Sequence, residues 1–102
     1  MYKDLLPNGS IVKLSGGDHY VMICGRVTVP AGEETIYDYV GCLYPEGLTD
    51  MENMLFFNRD NIETILFIGY QDKQELEYRS EILDNLGELT IKDGELVDVN
   101  EA

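Results

Sequence analysis

Short apolar runs broken at regular intervals by glycine- and proline-bearing turns constrain this chain more than any other feature. Pro7-Asn8-Gly9, Ser15-Gly16-Gly17-Asp18, Pro30-Ala31-Gly32-Glu33-Glu34 and Pro45-Glu46-Gly47 interrupt segments rich in Val, Ile, Tyr and Phe. Between such breaks the backbone has room for strands but not for long helices. Five strands are expected: Ser10–Leu14, His19–Val29, Thr35–Tyr44, Asn53–Asn58 and Glu63–Tyr70. Val21, Ile23, Val27 and Val29 share one parity and are expected to face one way. Gly25 within that run predicts a bulge or sharp bend. Leu48–Glu52 reads as a polar loop and Arg59–Ile62 as a turn. The last of the five strands, an almost unbroken apolar run, is expected to be mostly buried.

After Tyr70 the period changes. Asp72-Lys73-Gln74-Glu75 has the spacing of a helix capping box. Leu76, Ile82, Leu83 and Leu86 fall on one helical face, interrupted by Arg79, and Gly87 sits where a helix-ending glycine belongs. Asp93-Gly94 between apolar pairs predicts a terminal hairpin. The expected fold is α+β: a strongly bent antiparallel sheet or small barrel of about five strands, then one C-terminal helix and the hairpin. Residues 1–87 would form a single domain and residues 88–102 an acidic hairpin or flexible tail.

The chain has 102 residues, 44% of them hydrophobic, which suffices for one core. Lys and Arg total 7 against 20 Asp and Glu, a formal charge of −13. That balance opposes binding to a phosphate backbone or an anionic membrane surface and favours partners that are basic or bury apolar area. No stretch resembles a signal peptide or a membrane span, so a cytoplasmic location is expected. Cys24 and Cys42 lie in apolar strand runs and are expected to be reduced and buried; a disulfide between hairpin neighbours is the alternative.

Catalytic and metal chemistry finds little support. His19 is the sole histidine and lacks the partners a triad requires. No Cys-x-x-Cys is present for zinc. Asp38, Glu46, Asp50 and Glu52 bring carboxylates near one another, without a calcium-loop pattern. Ser15-Gly16-Gly17 lacks the lysine and helix of a phosphate loop and reads as a turn. No catalytic, metal or cofactor residue is therefore assigned. The expected contact surface is the tyrosine-rich third strand and its exit: Tyr37, Asp38, Tyr39, Tyr44 and Glu46. Tyrosine combines large contact area, few rotamers and a polar tip. Alternation places Tyr37 and Tyr39 on one face and Tyr44 on the other, so at most one set can sit in the core while the other faces a partner. If the strand is purely structural, the acidic helix from Asp72 to Leu86 is the next candidate surface.

The succession Gly9–Gly17, Val21–Arg26, Tyr37–Gly47, Phe56–Asn58 and Ile65–Tyr70 resembles the Firmicutes family known as domain of unknown function 4176, from about Leu5 to Tyr78. The block Tyr-Asp-Tyr-x-Gly-Cys-x-Tyr-Pro-Glu-Gly carries the resemblance most specifically. Members of that family are often encoded beside the type VII secretion system and its LXG-type toxins. The resemblance implies a non-enzymatic, cytosolic adaptor or chaperone that binds a secreted toxin. A toxin-neutralising immunity protein is the alternative, and a small enzyme or ligand-binding domain a further one. The resemblance brings no catalytic residues.

Overall fold

In the computed structural model, which describes residues 4–92 and 95–99, β-branched and aromatic runs pair as expected. The strands are β1 (Ile11–Leu14), β2 (Tyr20–Thr28), β3 (Tyr37–Tyr44), β4 (Leu55–Phe57) and β5 (Ile62–Phe67). They form one antiparallel sheet in the order β4-β3-β2-β1-β5. The first four strands follow one another as a meander. β5 then returns to the far side of β1, which leaves β4 and β5 as the two edges. The turn before β5 is a single 3-10 turn, Arg59–Asn61, and a second one, Met51–Asn53, occupies the loop expected to be irregular.

The bulge predicted at Gly25 is present. Ile23 pairs with Gly41 and Gly25 with Val40, so Cys24 is the extra residue. A side chain at position 25 would bring its Cβ within 2.9 Å of the Val40 side chain, which is why glycine fits this step. The parity expected of β2 is kept only in part. Val21 and Ile23 are buried, half-buried Val29 is not among the residues packed against the core, and half-buried Val27 still packs there, at a left-handed φ of 54°. That backbone is unusual for a β-branched residue. Burial of both cysteines is likewise corrected: Cys42 is buried, but the bulge turns Cys24 outward and leaves it exposed.

Leu5, Val12, Val21, Ile23, Tyr39 and Phe57 make the core, with Leu14, Leu43, Ile62, Leu86 and Leu89 packed around it. The segment entering β1 is tied in by Ser10, which is fully buried. Its hydroxyl donates to the Pro7 carbonyl at 2.8 Å and accepts from the Gly69 amide at 2.9 Å. Any Cβ at Gly69 would fall 2.3 Å from the Asn8 carbonyl oxygen, so the chain after β5 can cross here only as glycine.

The expectation of a mostly buried fifth strand is overturned. Within β5, Ile62 is half-buried and the following five residues are exposed. An apolar run has the same appearance in sequence whether its strand is central or at an edge, and β5 is at an edge.

The helix begins as predicted. Asp72 is the N-cap of α1 (Lys73–Tyr78), and its carboxylate accepts the Glu75 amide at 3.0 Å. The capping box is half-formed, because the Glu75 carboxylate turns to arginine instead of the cap backbone. From Arg79 to Leu83 the helix widens into a π turn. The extra residue shifts the phase of the apolar stripe: Leu83 is buried and Leu86 half-buried, but Leu76 and Ile82 are exposed. The helix ends with Asp84 as C-cap, and Gly87 is not among the left-handed glycines, so it does not close the helix. The terminal hairpin is present as β6 (Leu89–Lys92) and β7 (Glu95–Asp98), with the Asp93-Gly94 turn outside the described residues. Leu89 docks it onto the core.

Candidate functional site

The five residues expected to form a contact surface on β3 are dispersed. Tyr39 is a core residue, 1% exposed. Its ring lies 5.4 Å from that of Phe57, and its hydroxyl accepts the Leu6 amide at 2.9 Å. Burial pushes its phenol above the ordinary range. Tyr37 is half-buried beside Phe56, with ring centres 5.8 Å apart. Asp38 ties β3 to the turn before β5: its carboxylate accepts the Arg59 amide at 3.0 Å and faces the guanidinium at 3.5 Å. Tyr44 and Glu46, at the exit of β3, are exposed. The structure therefore brings Tyr39 and Asp38 into the scaffold and leaves Tyr44 and Glu46 at the surface.

A run of exposed apolar residues lies elsewhere on the surface. Ile65, Leu66, Phe67 and Ile68 are 51, 44, 57 and 53% exposed, and Tyr70 is 80% exposed. Successive side chains of a strand point to opposite faces, so both sides of this edge are apolar. A cleft of about 410 Å³ opens beside it, walled by Leu6, Tyr39, Ile62 and Ile65 with Arg59 and Glu63 at its rim. No charged residue occurs from Thr64 to Gln71, in a chain whose formal charge is −13. Asp60 and Glu63 precede this stretch and Asp72 follows it. The signal was visible in the sequence as an uncharged apolar run, but nothing there marked it as exposed.

A second cluster went unrecognised in the sequence. Arg26, after the bulge in β2, meets the Glu75 carboxylate with both terminal nitrogens at 2.7 Å. Arg79 adds a contact at 3.2 Å, and the Tyr78 ring centre lies 5.3 Å from the Arg26 guanidinium carbon. Arg26 and Glu75 side chains are 6 and 12% exposed. Hydrogen bonding to Arg26, helped by its charge and that of Arg79, holds the Glu75 carboxyl below the usual range. The two guanidiniums share the one carboxylate, and the arrangement fastens the helix to β2.

His19 is exposed at the start of β2. Asp50 is engaged in capping the turn after it, with its carboxylate accepting the Glu52 amide at 3.0 Å. Among the described residues, no three His, Cys, Asp or Glu side chains are grouped to hold a metal. Nor is any helix among them long and apolar enough to cross a membrane.

These features define a small acidic α+β domain built on a five-stranded antiparallel sheet with one exposed apolar edge. The chain belongs to the family described as Domain of unknown function (DUF4176), whose model matches residues 5–78. The match spans the sheet and α1 and stops before the π turn and the hairpin. No curated protein and no solved structure matches the chain.

Proposed function

We propose that this protein is a non-enzymatic binding module that takes an extended apolar segment, flanked by basic residues, along the open edge of β5. The observation that carries this reading is the exposure of Ile65, Leu66 and Phe67 on a strand paired on one side only, continued by exposed Ile68 just after it. Unpaired backbone groups on such an edge can accept a further strand, and the apolar side chains on both faces give that strand something to bury against. Soluble proteins seldom leave a long apolar edge uncovered. Acidic residues at both ends of the charge-free stretch favour Lys or Arg flanking the incoming segment. The same charge weighs against a second copy as the occupant, since each copy brings −13.

The resemblance noted from the sequence motivates the rest of the proposal: a cytoplasmic adaptor or chaperone whose client is an LXG-type toxin exported by type VII secretion. A chaperone of this kind would hold an apolar strand of its client away from water until export. The test is co-expression with an LXG-type toxin, using the wild type and Phe67→Lys. Phe67 is more than half exposed, so the variant should fold with an unchanged melting temperature. The reading expects the wild type to raise soluble or exported toxin and Phe67→Lys to lose that effect. Protection of the producing cell without a change in solubility or export would instead identify an immunity protein. Concentration-dependent dimers abolished by Phe67→Lys would make the occupant a second copy.

A further inference from the structure

The bulge in β2 has a chemical consequence independent of the β5 edge. By pushing one extra residue out of the ladder, it brings Cys24 Sγ to 3.6 Å from Cys42 Sγ. Cys24 is exposed and Cys42 is 2% exposed, so one residue of the pair lies at the surface and the other is covered. Both lie in β2 and β3, the strands joined by the longest run of pairing in the sheet. A disulfide needs its sulfurs only about 1.5 Å closer than this. A bulge is the place in a ladder where a strand can bend to provide that movement.

We infer that Cys24 and Cys42 form an oxidation site, a dithiol that a small-molecule disulfide converts into a cross-strand bond between β2 and β3. Cys24, as its thiolate, attacks one sulfur of the small disulfide, giving a mixed disulfide and releasing one small thiol. Cys42 then loses its proton and attacks Cys24 Sγ, expelling the second small thiol. Two protein thiols are oxidised by two electrons, the small disulfide is reduced by two, and the two protons leave on the released thiols. Cys24 is the attacking residue because it is the exposed member of the pair, and Cys42 is the resolving one because its sulfur already touches Cys24. The Cys24 thiol is pushed up to about 11, first by burial of the sulfur itself and then by its contact with Cys42. Exchange is therefore slow at neutral pH, as suits a site that closes under sustained oxidation rather than a fast peroxide sensor.

The test uses the native full-length protein, incubated at mildly alkaline pH with oxidised glutathione and quenched in acid, with intact mass and free thiols in denaturant as readouts. The expected product is a monomer lighter by two hydrogens, with no free thiols. Its melting temperature should rise by about 4 °C or more and return on reduction, because the bond closes a loop of the unfolded chain. Cys42→Ala should stop at one glutathione on Cys24, and Cys24→Ser should not react without denaturant. The proposal is overturned if the wild type stops at the mixed disulfide, if its thiols react only after unfolding, or if the bond forms between chains.

Discussion

Replacing Glu75 by Gln tests the fastening of helix to sheet with little change in shape. The glutamine keeps the volume and one acceptor, but Arg26, 6% exposed, loses its counter-charge and one of two 2.7 Å bonds, and Arg79 loses its partner. Removing one member of a buried pair typically costs about 3–5 kcal/mol, because the remaining charge is left desolvated and unpaired. For a domain near this size each kcal/mol lowers the melting temperature by about 4–8 °C, so a loss of about 12 °C or more is expected. The sign of the pH dependence follows from the depressed Glu75 carboxyl. A carboxyl held below its unfolded value of 4.5 stabilises the fold above that pH, and the contribution fades as pH falls toward the depressed folded value. The gap between wild type and Glu75→Gln should therefore be full at neutral pH and narrow below about pH 4.5. Urea denaturation of both proteins across that range measures it. The triple substitution Arg26→Met, Glu75→Leu, Arg79→Met, which removes all three charges and keeps apolar volume, should recover most of the loss. A single-variant cost under about 1 kcal/mol, or a gap that stays constant into acid, would refute the assignment of this pair as a buried fastening.

Asp72→Ala removes the carboxylate that accepts the Glu75 amide and should cost about 0.5–2 kcal/mol in urea denaturation, without altering the fluorescence of the folded state. Tyr39→Ala should lower stability by about 3–5 kcal/mol, as truncation of a buried aromatic does, whereas exposed Tyr44→Ala should stay within about 0.5 kcal/mol of wild type in the same assay.

Much of the backbone was legible because local chemistry dictates it. Turn glycines and prolines delimit the first three strands of the sheet, Gly25 marks the bulge, and Asp72 marks the helix start. What local chemistry does not encode is which side of an element meets the rest of the chain. The run from Ile65 to Ile68 has the composition of a buried strand, but the sheet order leaves it at an edge. Leu76 and Ile82 fit a helical stripe only at constant pitch, and the π turn from Arg79 to Leu83 changes the pitch. Cys24 has apolar neighbours in sequence, but as the extra residue of the bulge it turns outward. The Arg26–Glu75 pair joins residues 49 apart, and neither spacing nor composition points to it. The tyrosines of β3 could be divided into two faces from alternation alone, but not assigned to core or surface, and Asp38 gave no sign of its bonds to Arg59.

The fixing of Gly69 by Ser10 has a counterpart at the other end of the same strand, where the Ser15 amide donates to the Asn61 carbonyl at 2.8 Å. β5 is therefore held beyond both ends as well as along its ladder with β1, while Glu63 to Phe67 stay exposed. A strand tethered in this way cannot wander far from its bound shape, so the ordering entropy that a free peptide would lose on forming a ladder has largely been lost already on folding. A partner strand laid against Ile65–Phe67 has to order chiefly itself.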